Sequence, residues 1–65
     1  MQKWEYLTFT IVMAAGVIQR AWENTRELRD AKGKPHFVFL NYYGAQGWEL
    51  VTTEGNGYVF KRLIP

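Results

Sequence analysis

The 65 residues contain no cysteine and no serine, and histidine and aspartate occur once each, as His36 and Asp30. Disulfide staples are therefore excluded, and a structural zinc site lacks thiolate ligands. A serine or cysteine nucleophile is also missing, which leaves His36 nothing to activate. No catalytic, cofactor-binding or metal-ligating residue is assigned on these grounds. Charge is in short supply as well: eight Lys and Arg against six Asp and Glu give a formal +2, modest for a nucleic-acid binder. The longest apolar run, Ile11 to Ile18, falls far short of the roughly 20 residues that span a bilayer. A signal peptide would have to occupy the first 21 residues, where Glu5 and a strand-like alternation do not suit one. The expectation is a cytoplasmic, unprocessed single domain, 1–65, with no membrane partner.

What the chain has is rings. Three Trp, four Tyr and four Phe supply the apolar payload of a small fold, since each large ring can bury about 150 to 250 Å². A chain of this length still buries only about 60% of the surface it exposes when unfolded. With disulfides and metal removed as supports, association with a second copy is the remaining one.

Residues 3 to 12 alternate and are rich in aromatic and β-branched types, the signature of a strand. Trp4, Tyr6, Thr8 and Thr10 share one face, and Glu5, Leu7, Phe9 and Ile11 the other. Met13 to Gly16 reads as a turn or bulge. Val17 to Glu23 reads as a second strand, in competition with a helix over Ala14 to Asp30 supported by Glu23, Arg26, Glu27 and Asp30 as charge pairs. Asn24 and Thr25 favour a turn, and Arg26 to Lys34 a charged connection or short irregular helix ending in Gly33 and Pro35. Pro35 suits the start of a helix. Phe37, Leu40, Asn41 and Gly44 follow at helical spacing, with Gly44 as the left-handed cap.

Gly47 permits a sharp turn into a strand over Trp48 to Thr53. Glu54-Gly55-Asn56-Gly57 is a hairpin signal, and Tyr58 to Leu63 the last strand. Two registers remain open: a two-residue turn sets Glu49 opposite Arg62, and a three-residue loop sets Val51 opposite Lys61. The predicted fold is α+β, a four-stranded antiparallel sheet with one principal helix packed on it, in the order β-β-α-β-β. Which sheet face the helix covers is not fixed by the pattern.

Trp4-Glu5-Tyr6, Leu40-Asn41 followed by Gly44, Gly47-Trp48-Glu49-Leu50-Val51 and Phe60-Lys61-Arg62 together resemble the small bacterial proteins grouped as domain of unknown function 4177. The resemblance spans nearly the whole chain. It implies the same fold and a bacterial, cytoplasmic origin, and brings no activity or catalytic residue. Leu7 stands where that family commonly has a polar residue, and Tyr42-Tyr43 replaces an aliphatic and acidic pair. Both departures are expected to add exposed apolar surface.

Few residues invite a functional reading. Gly44-Ala-Gln-Gly47 and Gly55-Asn-Gly57 lack the strand-loop-helix order and following Lys of a phosphate loop, so they read as turns. Glu5 and Glu49 are expected to meet Lys61 or Arg62 across the sheet in preference to acting as a carboxylate pair. Arg20, Trp22, Arg26, Arg29, Lys32 and Lys34 form the one basic concentration with an aromatic inside it, the combination that stacks bases and holds phosphates. Glu23, Glu27 and Asp30 dilute it. Leu7, Phe9 and Ile11 form a second apolar stripe which, if the helix covers Trp4 and Tyr6, is the interface; in the alternative the helix covers this stripe and leaves Trp4 and Tyr6 half exposed. The predicted function is a non-catalytic homo-oligomeric interaction or scaffold module, a dimer or larger ring, with another protein as a further partner. The alternative is a small nucleic-acid-binding or regulatory protein using Arg20 to Lys34.

Overall fold

The first strand, β1 (Trp4–Ala14), is the middle of the sheet and the longest element of the chain. In the computed structural model, which describes all 65 residues, Ala15 and Gly16 both take positive φ (54° and 80°), the requirement of a two-residue type I′ turn. That turn returns the chain as β2 (Val17–Glu23), so residues 17 to 23 are strand and not helix. Gln19 is an extra residue in β2: Val12 faces Arg20, and the next pair is Met13 with Ile18.

Asn24, at φ 55°, turns the chain again, and its side-chain Oδ1 accepts a hydrogen bond from the Thr8 N–H (3.0 Å). A two-residue strand, β3 (Arg26–Glu27), then pairs with the end of β2. One 3-10 turn (Arg29–Ala31) follows and buries Ala31 completely. Both lie in the segment expected to be a charged connection or short irregular helix; the 3-10 turn fits the second reading, and β3 was not expected. The backbone of Lys34 closes this flank by accepting a bond from the Ile18 N–H (2.9 Å).

Helix α1 (His36–Ala45) starts after Pro35. Its C-terminus corrects the expectation for Gly44, which lies inside the helix. Gly47, at φ 90°, is the left-handed residue. The Trp48 N–H reaches back to the Tyr43 carbonyl (3.1 Å) and the Gly47 N–H to that of Gly44 (3.0 Å), the paired bonds of a Schellman cap. The inward face of α1 is also one residue away from the expected one. Phe39, Leu40 and Tyr43 meet the core, while Phe37, Asn41 and Gly44 are exposed.

The hairpin of β4 (Glu49–Glu54) and β5 (Gly57–Leu63) closes the fold. Gly55 alone takes positive φ, as the first central position of a type II′ turn demands. The two-residue turn thus sets Glu54 opposite Gly57, but Val51 bulges and shifts the register by one, so Glu49 faces Lys61 in place of Arg62. The sheet has five antiparallel strands, β3-β2-β1-β5-β4. The α+β class with one helix on an antiparallel sheet is as expected; the strand number is five, not four, and the order is β-β-β-α-β-β.

Candidate functional site

Strand parity sorts the side chains onto two unlike faces. One carries Leu7, Phe9 and Ile11 with Phe60 and Tyr58 of β5 and Ala21 of β2. Helix α1 lies on it: the Phe9 ring stacks on Phe39 (5.3 Å between centroids) and meets Tyr43 edge-on (5.4 Å). Phe9 is 0% exposed, and Leu7 and Ile11 are buried beside it. The expected interface of Leu7, Phe9 and Ile11 is therefore corrected: these residues are buried in the core of the single chain. Leu7 and Tyr43 likewise add buried surface, and of the departures noted above only Tyr42 adds exposed surface.

The other face has no helix over it. Reading along it by register, Trp4 pairs with Leu63, Tyr6 with Lys61, Thr8 with Val59, and Thr10 with Trp22 and Gly57, ending at Val12 beside Arg20. Tyr6 is 63% exposed, and Trp4, Val12 and Leu63 are exposed too. Each end of this face holds one Trp with a cation on its ring. The Lys61 ammonium lies 4.5 Å from the centre of the Trp4 ring and the Arg20 guanidinium 4.8 Å from that of Trp22. Each end also holds a carboxylate, since Glu49 faces Lys61 in register and Glu27 accepts two hydrogen bonds from Arg20 (3.1 and 3.2 Å). Those bonds and the attached charge raise the Arg20 pKa and lower that of Glu27.

The basic residues singled out in the sequence are brought together only in part. Arg20 and Trp22 belong to the open face. Arg26 pairs with Glu23 (3.6 Å) on the helix side, and the Lys34 ammonium leans toward the Phe39 ring (6.0 Å). Arg29 and Lys32 flank a shallow hollow with Arg20 and Glu27. Trp22 gains Thr10 as its cross-strand neighbour and Arg20 gains Val12, pairings that no sequence spacing announces.

Other chemistry is sparse. Glu5 and Glu49 stand on opposite faces of the sheet. Glu5 forms an ion pair with Arg62 (3.3 Å), whose guanidinium also covers Trp48 (4.2 Å to the ring centre) and donates to the Gln46 carbonyl (3.1 Å). The His36 ring lies parallel to Tyr58 at 6.4 Å. No three His, Cys, Asp or Glu side chains converge as a metal-binding group. An open cleft of about 470 Å³ separates the 3-10 turn from α1. There the Glu23 carboxylate accepts the Tyr43 hydroxyl (3.0 Å). Burial first, then that bond and the carboxylate's charge, push the Tyr43 phenol well above its ordinary pKa. No helix is long and apolar enough to cross a membrane. Comparison of the chain with protein-family models, curated proteins and solved structures finds no match.

Proposed function

We infer that this protein is a non-catalytic interaction module that works as an assembly of identical copies, cytoplasmic and related to the bacterial family its Gly47–Val51 segment resembles. The observation that carries this is a shortfall of burial in one copy. Only nine of 65 residues are buried, and the accessible surface is 4695 Å², against about 4,300 Å² for a typical monomer of this mass. The radius of gyration, 12.2 Å, exceeds the roughly 11 Å of a compact 65-residue domain. A thin, elongated chain with exposed Trp, Tyr, Phe and Leu has surface that a copy of itself can cover.

The sheet edges are poor places for that contact. β3 is two residues long, while β4 carries a bulge and ends in Glu49 and Glu54, the devices that discourage strand addition. Nucleic-acid binding by Arg20 to Lys34 has weaker support, because Arg20 and Arg26 already hold carboxylates.

Light scattering across a dilution series tests the proposal. A mass of twice 7.6 kDa or a higher multiple is expected, with a melting temperature that falls on dilution. A 7.6 kDa species at millimolar concentration, melting independently of dilution, overturns it.

A further inference from the structure

We propose that the helix-free face of the sheet is where two copies meet, face to face about a two-fold axis passing close to Thr8. The inference rests on the self-association proposed above and identifies its surface. Thr8 is the natural centre: β1 is the third of five strands, and Thr8 is midway between Trp4 and Val12 along it.

Size favours this face over its rival. The rival is the outer stripe of α1, where Phe37 is 54% and Tyr42 58% exposed. A ten-residue helix is about 15 Å long and about 10 Å wide, a footprint of about 150 Å². Five strands about 4.8 Å apart, of 2, 7, 11, 7 and 6 residues across the sheet at about 3.3 Å each, give a plan area of roughly 520 Å². Side-chain relief raises the accessible area above that, toward the ~800 Å² per partner of a stable interface.

Charge points to a second copy as the occupant. A polyanion would meet Glu27, Glu49 and Glu54 among Arg20 and Lys61 on the strands, with Arg29 and Lys32 flanking Arg20 and Glu27 at one end, so the two signs are interspersed and no continuous positive track crosses the face for phosphates to follow. A protein surface with both signs suits it, and this face is such a surface. Each end carries a Trp, a cation on its ring and a carboxylate, Trp4 with Lys61 and Glu49 at one end, Trp22 with Arg20 and Glu27 at the other. Either end therefore complements either end. An isologous contact requires that self-complementarity.

The absence of native cysteine makes single-cysteine variants unambiguous. A short bis-maleimide is expected to link Thr8→Cys to itself at dilutions where Val38→Cys, on the outer face of α1, is not linked. Tyr6→Lys, at an exposed position, is expected to abolish the multimer at concentrations where the wild type is fully assembled, while Tyr42→Lys leaves it intact. Circular dichroism confirms that each variant is folded. A multimer that survives Tyr6→Lys and links through Val38→Cys overturns the assigned face and leaves self-association standing. A wild type that is monomeric throughout overturns both. If Tyr6→Lys leaves the mass unchanged but abolishes binding of single-stranded oligothymidylate, the face belongs to nucleic acid and the inference fails.

Discussion

The two faces of this sheet use the same residue types for opposite ends. Under the helix, rings contact rings: Phe9 stacks with Phe39 and Tyr58 and meets Tyr43, which in turn packs on Phe60. On the open face Trp4 and Trp22 contact cations, Lys61 and Arg20, whereas on the covered side Arg62 over Trp48 and Lys34 near Phe39 only cap the edge of the ring cluster. Ring-on-ring packing excludes water and drives folding of one copy. A ring with a cation lying over it stays soluble alone and keeps its area for later burial. The difference predicts that substitutions on the covered face cost stability, whereas those on the open face cost association.

Phe9→Ala breaks the comparison at its strongest point. A fully buried Phe at the centre of the cluster is expected to cost about 3 to 5 kcal/mol, enough to unfold a domain of this size. The check is urea denaturation against Tyr6→Ala, which removes a ring of similar size from the opposite face of the same strand, three positions from Phe9. If the two lose equal stability at dilutions where both are monomeric, the faces do not differ as described.

Tyr43→Phe probes the polar rim of the covered face. It removes the hydrogen bond to Glu23 and is expected to cost about 1 to 2 kcal/mol near neutrality. The pH dependence carries more information. Because the folded phenol titrates above its ordinary range, its contribution is whole below about pH 10, the unfolded value. It is lost as the pH rises beyond that, since the unfolded chain releases the proton first. The gap between wild type and Tyr43→Phe in chemical denaturation is therefore expected to narrow above about pH 10; a constant gap would mean that Tyr43 is not held neutral by its surroundings.

Alternation and turn residues made much of this legible in the sequence. The two faces of β1, the turn at Asn24 and the Gly55-Asn56 hairpin follow from period-two patterning and positive-φ residues, while the strand Val17–Glu23 is legible only in competition with a helix. The side on which the helix sits does not, for two physical reasons. Both faces of β1 carry large apolar groups, and α1 contains no Asp, Glu, Lys or Arg, so it has no polar face to mark its outside. Phe37 and Phe39 are then equivalent by composition, and the inward stripe comes out one residue away. The Val51 bulge is likewise silent, because a single extra residue in a run of Leu-Val-Thr-Thr changes no pattern. The candidate site was half visible: Trp4 and Tyr6 share a face by parity, but Trp22 and Arg20 join them only through pairing of β1 with β2.

Gly47→Ala sharpens the comparison by loosening the helix without touching either face. The added Cβ meets Arg62 Cδ at 3.6 Å, an ordinary contact, so the cost comes from φ 90°. A left-handed backbone in a residue with a side chain costs about 1 kcal/mol. Stability is expected to fall by that amount in thermal or urea denaturation, with association unchanged; a loss of the multimer would show that the helix end takes part in it.

The smallest effect belongs to the open face itself. Glu27→Gln removes the carboxylate that holds Arg20 over Trp22, in a pair too exposed to matter much to folding. The sign is still fixed. Glu27 titrates below its ordinary range in the fold, so its stabilisation is present above about pH 4.3 and disappears as the pH falls through the lower folded value. The small stability difference between wild type and Glu27→Gln should therefore vanish in acid and shrink in high salt. If the helix-free faces meet as proposed, the same substitution has a second consequence, since an Arg20 without its partner adds unpaired positive charge to that surface. Dilution experiments at low salt are expected to show weaker association for Glu27→Gln, recovering as salt is added. Salt-independent association equal to wild type would mean that the Arg20 and Glu27 pair lies outside the contact.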